Sequence, residues 1–124
     1  MTPSKKVDLD ISTWNDHVED TYLAIKDHLN ETPLLSSKKL NQLLGIQIFV
    51  KAENLQKTGS FKIRGALSSI SRLSAEQLRN GVLAYSSGNH AQGVAMAAQI
   101  FNTSATIVMP SDAPKVKVLG TKAY

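Results

Sequence analysis

The sequence predicts an α/β fold built on a parallel sheet, and three observations support this prediction. Two short apolar runs, Val82–Tyr85 and residues 105–109, have the length and composition of buried strands. The stretch between them, residues 90–101, is rich in alanine and has the composition of a helix. A strand, a helix and a strand in that order form a right-handed βαβ unit, in which the two strands run parallel.

The chain before this unit is predicted to be mostly helical. An apolar stripe at steps of three and four residues indicates a first helix that begins near Ser12 or Thr13, either of which can cap it. The proline within residues 32–35 favours an extended conformation there. A short helix then follows, with Ser36 as its cap and Gly45 as its stop. The residues of the apolar stripe are Trp14, Val18, Tyr22, Ile25 and Leu29.

The same kinds of pattern predict the elements in the middle of the chain. Residues 46–52 alternate as a strand, and residues 53–59 form a polar loop. A helix with one apolar face is predicted from Ser60. Residues 74–77 have the sequence of a capping box that opens a further short helix. The last helix is predicted to begin at Lys115.

Composition and charge place the chain among globular proteins. Its 124 residues are 42% hydrophobic and 19% charged, which is typical of a domain with a core. It has no apolar run long enough to span a membrane and no secretory signal, so we expect a cytoplasmic protein. The net charge of +4 comes from scattered side chains and does not indicate a nucleic-acid partner. No cysteine is present, which excludes disulfides and thiolate metal sites, and we predict no metal site.

Lys62 is the first candidate for chemistry. Gly59 allows a sharp turn before the helix that Ser60 would cap, so Lys62 falls in its first turn. A helix N-terminus and partial burial both disfavour an ammonium group and favour the neutral amine that acts as a nucleophile. Phe61 could pack on a flat ring. On its own, this segment is more typical of a solvated lysine and a core aromatic residue.

The second candidate is the turn between the first βαβ strand and its helix, with the sequence Ser86-Ser87-Gly88-Asn89-His90. Its glycine allows a tight turn, and the helix that follows begins with unpaired backbone N–H groups, which bind anions such as a carboxylate. Open α/β sheets bind ligands at this carboxyl end of the strands. On its own, the motif is more typical of an ordinary helix cap.

Taken together, three ordered segments resemble the fold-type II enzymes that use pyridoxal 5'-phosphate (PLP), and most closely the branch of threonine dehydratases and serine racemases. The segments are residues 51–66, residues 86–93, and Met109-Pro110 with Ala113-Pro114 and Lys117. The resemblance implies the parallel three-layer sheet of that family, present here as its N-terminal part. Residues 1–31 would then be an N-terminal helical segment, and residues 32–124 the first part of the catalytic region.

The resemblance also implies roles for individual residues. Lys62 would hold PLP covalently and then transfer protons, Phe61 would lie against the pyridine ring, and Asn89 would hydrogen-bond the ring's 3-hydroxyl oxygen. Ser87 is also a catalytic candidate, because in racemases of this family its counterpart moves a proton on the face opposite the lysine. The substrate carboxylate would be held by the whole turn, through Ser86, Ser87, Gly88, Asn89 and His90.

The reaction implied is β-elimination of L-threonine or L-serine to a 2-oxo acid and ammonia, in a parent enzyme expected to be a homo-oligomer. Serine racemase, which shares every motif quoted, is one alternative. A non-catalytic truncated paralogue, which would keep the fold but not the activity, is the other. The family's glycine-rich phosphate-binding loop lies downstream of these motifs and is not in this chain. We therefore expect the 124-residue chain to be truncated before that loop, to bind PLP only weakly and to be inactive by itself.

Overall fold

The computed structural model describes residues 11–124, so the polar segment at residues 1–10 lies outside the described part. The first helix, α1 (Ile11–Ile25), is followed by a 3₁₀ turn at Lys26–His28. Ser12 and Thr13 lie inside α1, so the prediction that one of them caps it is wrong. Of the helices within residues 11–124, none is long and apolar enough to cross a membrane.

The apolar stripe of α1 is buried only at its C-terminal end. Ile25 is buried and Leu29 packs against the core, whereas Trp14, Val18 and Tyr22 are exposed. The helix contacts the core through its last turns, so a regular apolar spacing does not produce a buried face along its whole length.

A small antiparallel hairpin follows α1. Strand β1 (Leu34–Leu35) pairs with β2 (Val50–Lys51), and the connection between the two strands contains helix α2 (Lys38–Leu44). The cap of α2 is Ser37, not Ser36 as predicted, because the Ser36 hydroxyl donates instead to the carbonyl of Ile48. Gly45 ends α2 at φ 66°, as predicted. The predicted strand at residues 46–52 is shortened to β2.

Two helices lie between the hairpin and the parallel strands. The loop before them contains 3₁₀ turns at Glu53–Leu55 and Lys57–Gly59. Helix α3 (Lys62–Ile70) has Phe61 at its cap position and no side-chain cap, so the prediction that Ser60 caps it is wrong. Helix α4 (Ala75–Asn80) opens with the capping box predicted at residues 74–77.

The βαβ unit is present as predicted. Strand β3 (Val82–Tyr85) pairs in parallel with β4 (Ala105–Val108), and α5 (Asn89–Ile100) connects them. Helix α6 (Lys115–Lys122) packs on α5. The two strands were predicted to be buried, but they are covered on one face only. Val82, Ala84, Ala105 and Ile107 pack against the core, while Leu83, Tyr85 and Val108 are exposed.

The core is formed mainly where α3 packs on α5. Ile63 and Leu67 of α3 are 0% exposed, and Ala97 of α5 is likewise 0% exposed. Small side chains along α5 allow the two helices to approach closely. This packing fixes the start of α3, which carries Lys62, against the first turns of α5.

Candidate functional site

Lys62 is the first residue of α3 and is exposed. The partial burial predicted for it is therefore wrong. Its Nζ lies 5.0 Å from the centroid of the Phe61 ring, which is the geometry of a cation–π contact. Phe61 is 57% exposed and so does not belong to the core. The amine and the aromatic face are both open to a ligand.

The turn before Lys62 combines an unfavourable backbone with unpaired hydroxyl groups. Thr58 has φ 62° and ψ 10°, a left-handed conformation that costs a β-branched residue about 1–3 kcal/mol, and Gly59 follows at φ 67°. The Thr58 and Ser60 hydroxyl oxygens are buried without a hydrogen-bond partner among the described residues. Buried hydroxyls normally find a partner. These two flank the turn that leads into Lys62, and this fits a site for a polar ligand.

An ion pair ties this loop to α3. Both carboxylate oxygens of Glu53 accept hydrogen bonds from the Arg64 guanidinium, each at 2.8 Å, and the Thr32 hydroxyl donates to Glu53 at 2.6 Å. The hydrogen bond from Arg64 is the main reason why the pKa of Glu53 is lowered from 4.5 to about 2, and the bond from Thr32 lowers it further. The same pairing raises the pKa of Arg64. The ion pair therefore anchors the loop to Arg64, which lies two residues after Lys62 in α3.

The predicted turn lies at the start of α5, with Gly88 at the cap position and Asn89 as the first helical residue. The Gly88 N–H donates to the Ser86 hydroxyl at 3.2 Å. Ser87, Asn89 and His90 are exposed. The helix has no side-chain cap, so its first backbone N–H groups are free to bind an anion. A side chain added at Gly88 would meet open space, which leaves room in front of these groups.

Gly93 brings the two predicted segments together. A Cβ at this position would lie 3.1 Å from the carbonyl carbon of Lys62 and 3.2 Å from the backbone nitrogen of Ile63. Gly93 comes four residues after Asn89, which is about 6 Å along a helix axis. The starts of α3 and α5 therefore lie next to each other. A cleft of about 300 Å³ between these helices and β3 is lined by His90 and Gly65, among others.

Helix α6 reaches the same place. The ammonium group of Lys117 donates a hydrogen bond to Oδ1 of Asn89 at 2.7 Å. The contact joins residues 28 positions apart and links α6 to the first residue of α5. The turn at residues 110–114, which showed no chemistry in the sequence, thus places a cation beside a predicted site residue.

Sequence reasoning missed the residues that hold the site in place. Gly93 and Lys117 were part of recognised motifs, but no role was assigned to either. A glycine inside an alanine-rich helix is a signal for close packing. Glycine lowers the stability of a helix relative to alanine, and a close contact with a neighbouring element is a common reason for that cost. Glu53 and Arg64 were unassigned as well, and their opposite charges on either side of a polar loop were the available signal. The strained Thr58 has no signal in the sequence.

Most of the chain is similar to known proteins. Residues 25–124 match the family model described as "Pyridoxal-phosphate dependent enzyme". L-threo-3-hydroxyaspartate ammonia-lyase of Saccharomyces cerevisiae is 50% identical over 92% of this chain and 35% of its own length. L-threonine ammonia-lyase of Thermotoga maritima is 50% identical over 85% of this chain and 26% of its own length.

Solved structures agree with these matches. The crystal structure of serine racemase from Dictyostelium discoideum superposes with a TM-score of 0.84 and 38% identity, covering 88% of this chain and 36% of that protein. The chain thus spans between about a quarter and just over a third of the length of these relatives. The shared fold is the fold-type II architecture that the sequence predicted, present as a part of the complete domain.

Proposed function

Because this chain belongs to the family of pyridoxal-phosphate-dependent enzymes, we propose that it carries the lysine-bearing part of an ammonia-lyase for 3-hydroxy amino acids. The cofactor of the family is PLP. The observation that carries the proposal is the juxtaposition, through Gly93, of an exposed lysine at one helix start and an uncapped second helix start.

The residues present suit PLP. Lys62 offers an amine in solvent, and the adjacent exposed ring of Phe61 offers a flat surface for a pyridine ring. Asn89 offers an amide that can bond a ring oxygen. The two unpaired hydroxyls of Thr58 and Ser60 lie in the turn that precedes Lys62. We assign the covalent attachment of PLP to Lys62.

The chain's own groups then have distinct tasks. PLP, when bound, supplies an electron sink for the charge that develops at the substrate α-carbon. The backbone N–H groups at the start of α5, with Ser86 and Ser87, hold the substrate carboxylate. Once the substrate's amino group has displaced it, the free Lys62 amine would take the α-proton and could pass it to the β-hydroxyl, which would then leave as water. The released enamine reacts with water to give a 2-oxo acid and ammonia.

The names of the relatives support the substrate class and leave the individual substrate as part of the proposal. The yeast and Thermotoga relatives are named for L-threo-3-hydroxyaspartate and L-threonine, and both compounds carry a hydroxyl group on the β-carbon. We propose L-threonine or L-serine as the substrate, with hydroxyaspartate as a further member of the class. An amino acid without a leaving group on its β-carbon, such as L-alanine, should not react by β-elimination.

The proposal is tested by finding which lysine PLP modifies. The complete enzyme that contains this chain is incubated with PLP, reduced with borohydride, digested and mapped by mass spectrometry. We expect the pyridoxyl group on Lys62, and Lys62→Ala should lose the label while Lys115→Ala, an exposed lysine on α6, keeps it. Labelling spread over the exposed lysines in proportion to their exposure would contradict the proposal.

Racemisation is the second candidate, because a similar solved structure is a serine racemase and because Ser87 is exposed at the start of α5. In a dehydratase, Ser87 orients the substrate, so Ser87→Ala should raise KM more than it lowers kcat. In a racemase, Ser87 carries the second proton. The same change should then lower racemisation by about 100- to 10,000-fold while L-serine elimination by Lys62 continues. The rates of L-serine racemisation and of L-serine elimination are both measured on the complete enzyme, with and without Ser87→Ala.

A further inference from the structure

We propose that Lys117 is a positioning residue that fixes the side-chain amide of Asn89 with its N–H₂ group directed to the cofactor. The observation is the 2.7 Å hydrogen bond from Lys117 Nζ to Asn89 Oδ1. This inference rests on the proposed function, because it gives Asn89 a ligand. It extends the site to α6, a helix with no residue in the machinery described above.

The chemistry of the two side chains sets the direction of the amide. An asparagine amide has one accepting and one donating end, and rotation by half a turn exchanges them. A lysine ammonium group can only donate, so it selects the orientation in which Oδ1 faces α6. Nδ2 is then left as the free donor. An anionic ring oxygen on the cofactor requires a donor, and the opposite orientation would present a lone pair to it.

The packing of α6 separates this role from a structural one. Helix α6 packs on α5 along its length, and Thr121 near its C-terminal end is buried, at 7% exposure. Gly120 also leaves room for the side chain of Gln92, whose Nε2 would lie 2.5 Å from an added Cβ. The Lys117–Asn89 bond lies at the exposed end of the interface. Loss of the lysine head group should therefore release Asn89 without undocking α6.

The contact itself is tested in the cofactor-free chain by NMR of asparagine-selective ¹⁵N-labelled protein. Asn89→Ala identifies the Asn89 side-chain signals. Lys117→Met keeps the length of the side chain and removes the hydrogen-bond donor. It should move these signals toward the values of a solvent-exposed asparagine side chain that has no protein hydrogen-bond partner. Lys117→Arg, which keeps a donor, should largely restore them. Lys115→Met, which removes the same charge two residues away on α6, should leave them unchanged.

The consequence for the cofactor is tested in the complete enzyme, by the extent of borohydride-trapped PLP on Lys62 at a fixed PLP concentration below saturation. Lys117→Met should lower this labelling about fivefold, the factor that corresponds to one net hydrogen bond of about 1 kcal/mol. In an Asn89→Ala background, Lys117→Met should have no further effect, because its action runs through Asn89. Lys117→Arg should restore labelling, and Lys115→Met should not reduce it.

The outcomes distinguish this inference from the proposal on which it rests. Unselective labelling of the complete wild-type enzyme would refute the proposed function and this inference with it. Selective labelling of Lys62 that Lys117→Met leaves unchanged would refute the inference alone. An equal loss of labelling with and without Asn89 would show that Lys117 acts through the fold or its charge, and this too would refute the inference.

Discussion

The two helix starts that form the proposed site are held in different ways. The start of α3 is fixed from several sides, by the ion pair of Glu53 with Arg64, by the buried Ile63 and by the close packing of Gly93. At the start of α5, Asn89 and His90 are exposed and the helix has no side-chain cap. Within residues 11–124, its one long-range side-chain hydrogen bond runs from Lys117 to Asn89.

This difference matches two demands on a site of this kind. A residue that holds a cofactor covalently has to stand at a fixed place, because a misplacement of about 1 Å can cost about 100-fold in rate. Groups that recognise a substrate need unpaired hydrogen-bonding capacity, and this is incompatible with being satisfied by the protein itself. The start of α3 holds Lys62 at a fixed place, and the start of α5 offers backbone N–H groups that can bind a ligand.

The largest effect is expected from breaking the packing that joins the two starts. Gly93→Ala places a Cβ 3.1–3.2 Å from the backbone of Lys62 and Ile63, so that one helix has to move. Overpacking of this kind costs about 1–3 kcal/mol in the free energy of unfolding. Urea denaturation followed by circular dichroism measures the loss, and Lys62 labelling by PLP should fall with it.

Gly65→Ala is the matched control for this change. Gly65 also lies within a helix, but an added Cβ would meet nothing within 4 Å. The better helix propensity of alanine should therefore stabilise the chain by up to about 1 kcal/mol. Equal effects of the two substitutions would contradict the claim that Gly93 marks a close contact between α3 and α5.

A smaller effect is expected from the ion pair, and it should depend on pH. The pKa of Glu53 is about 2 in the folded chain and near 4.5 without its partners, because of the hydrogen bonds from Arg64 and Thr32. A carboxyl group with a lowered pKa stabilises the fold above pH 4.5, and this stability is lost as the pH falls toward 2. Glu53→Gln should cost about 1–2 kcal/mol at neutral pH and should remove this part of the acid dependence.

The measurement is the urea midpoint of both proteins at several pH values between 2 and 7. The difference between wild type and Glu53→Gln should be largest at neutral pH and should shrink below pH 4.5. A difference that stays constant down to pH 2 would mean that the substitution acts by altering packing. The ion pair would then not be what holds the loop before Lys62.

The two starts also differ in how well the sequence predicted them. The strand, turn and helix around Ser86–His90 were correctly placed because the signals are local, namely an apolar run, a glycine turn and an alanine-rich helix. The capping box at residues 74–77 and the stop at Gly45 were correct for the same reason.

The contacts that hold the start of α3 could not be predicted in this way. The Glu53–Arg64 pair spans a loop, and the packing of Gly93 on Lys62 joins two helices that are distant in sequence. Caps were misjudged where two serines are adjacent, since Ser36 bonds Ile48 and leaves the cap to Ser37. Exposure of Leu83 and Tyr85 depends on what packs opposite β3, and no pattern within the strand specifies that.

The smallest effect on stability is expected at the open helix start. Ser87 is exposed, α5 has no side-chain cap, and the Ser87 hydroxyl makes no hydrogen bond in the part of the chain that the structure describes. Ser87→Ala should therefore change the free energy of unfolding by less than about 0.5 kcal/mol. Ser74, also just before a helix, accepts a bond from the Gln77 N–H at 3.2 Å, and Ser74→Ala should cost about 1 kcal/mol. Thermal and urea denaturation of the two variants, in parallel, measure this contrast between a serine that caps a helix and one that does not.

If Ser87→Ala were as destabilising as Ser74→Ala, Ser87 would be a structural turn residue, and its proposed role toward the substrate would lose its basis. A neutral effect on folding together with a raised KM for L-serine would instead place its contribution in substrate binding.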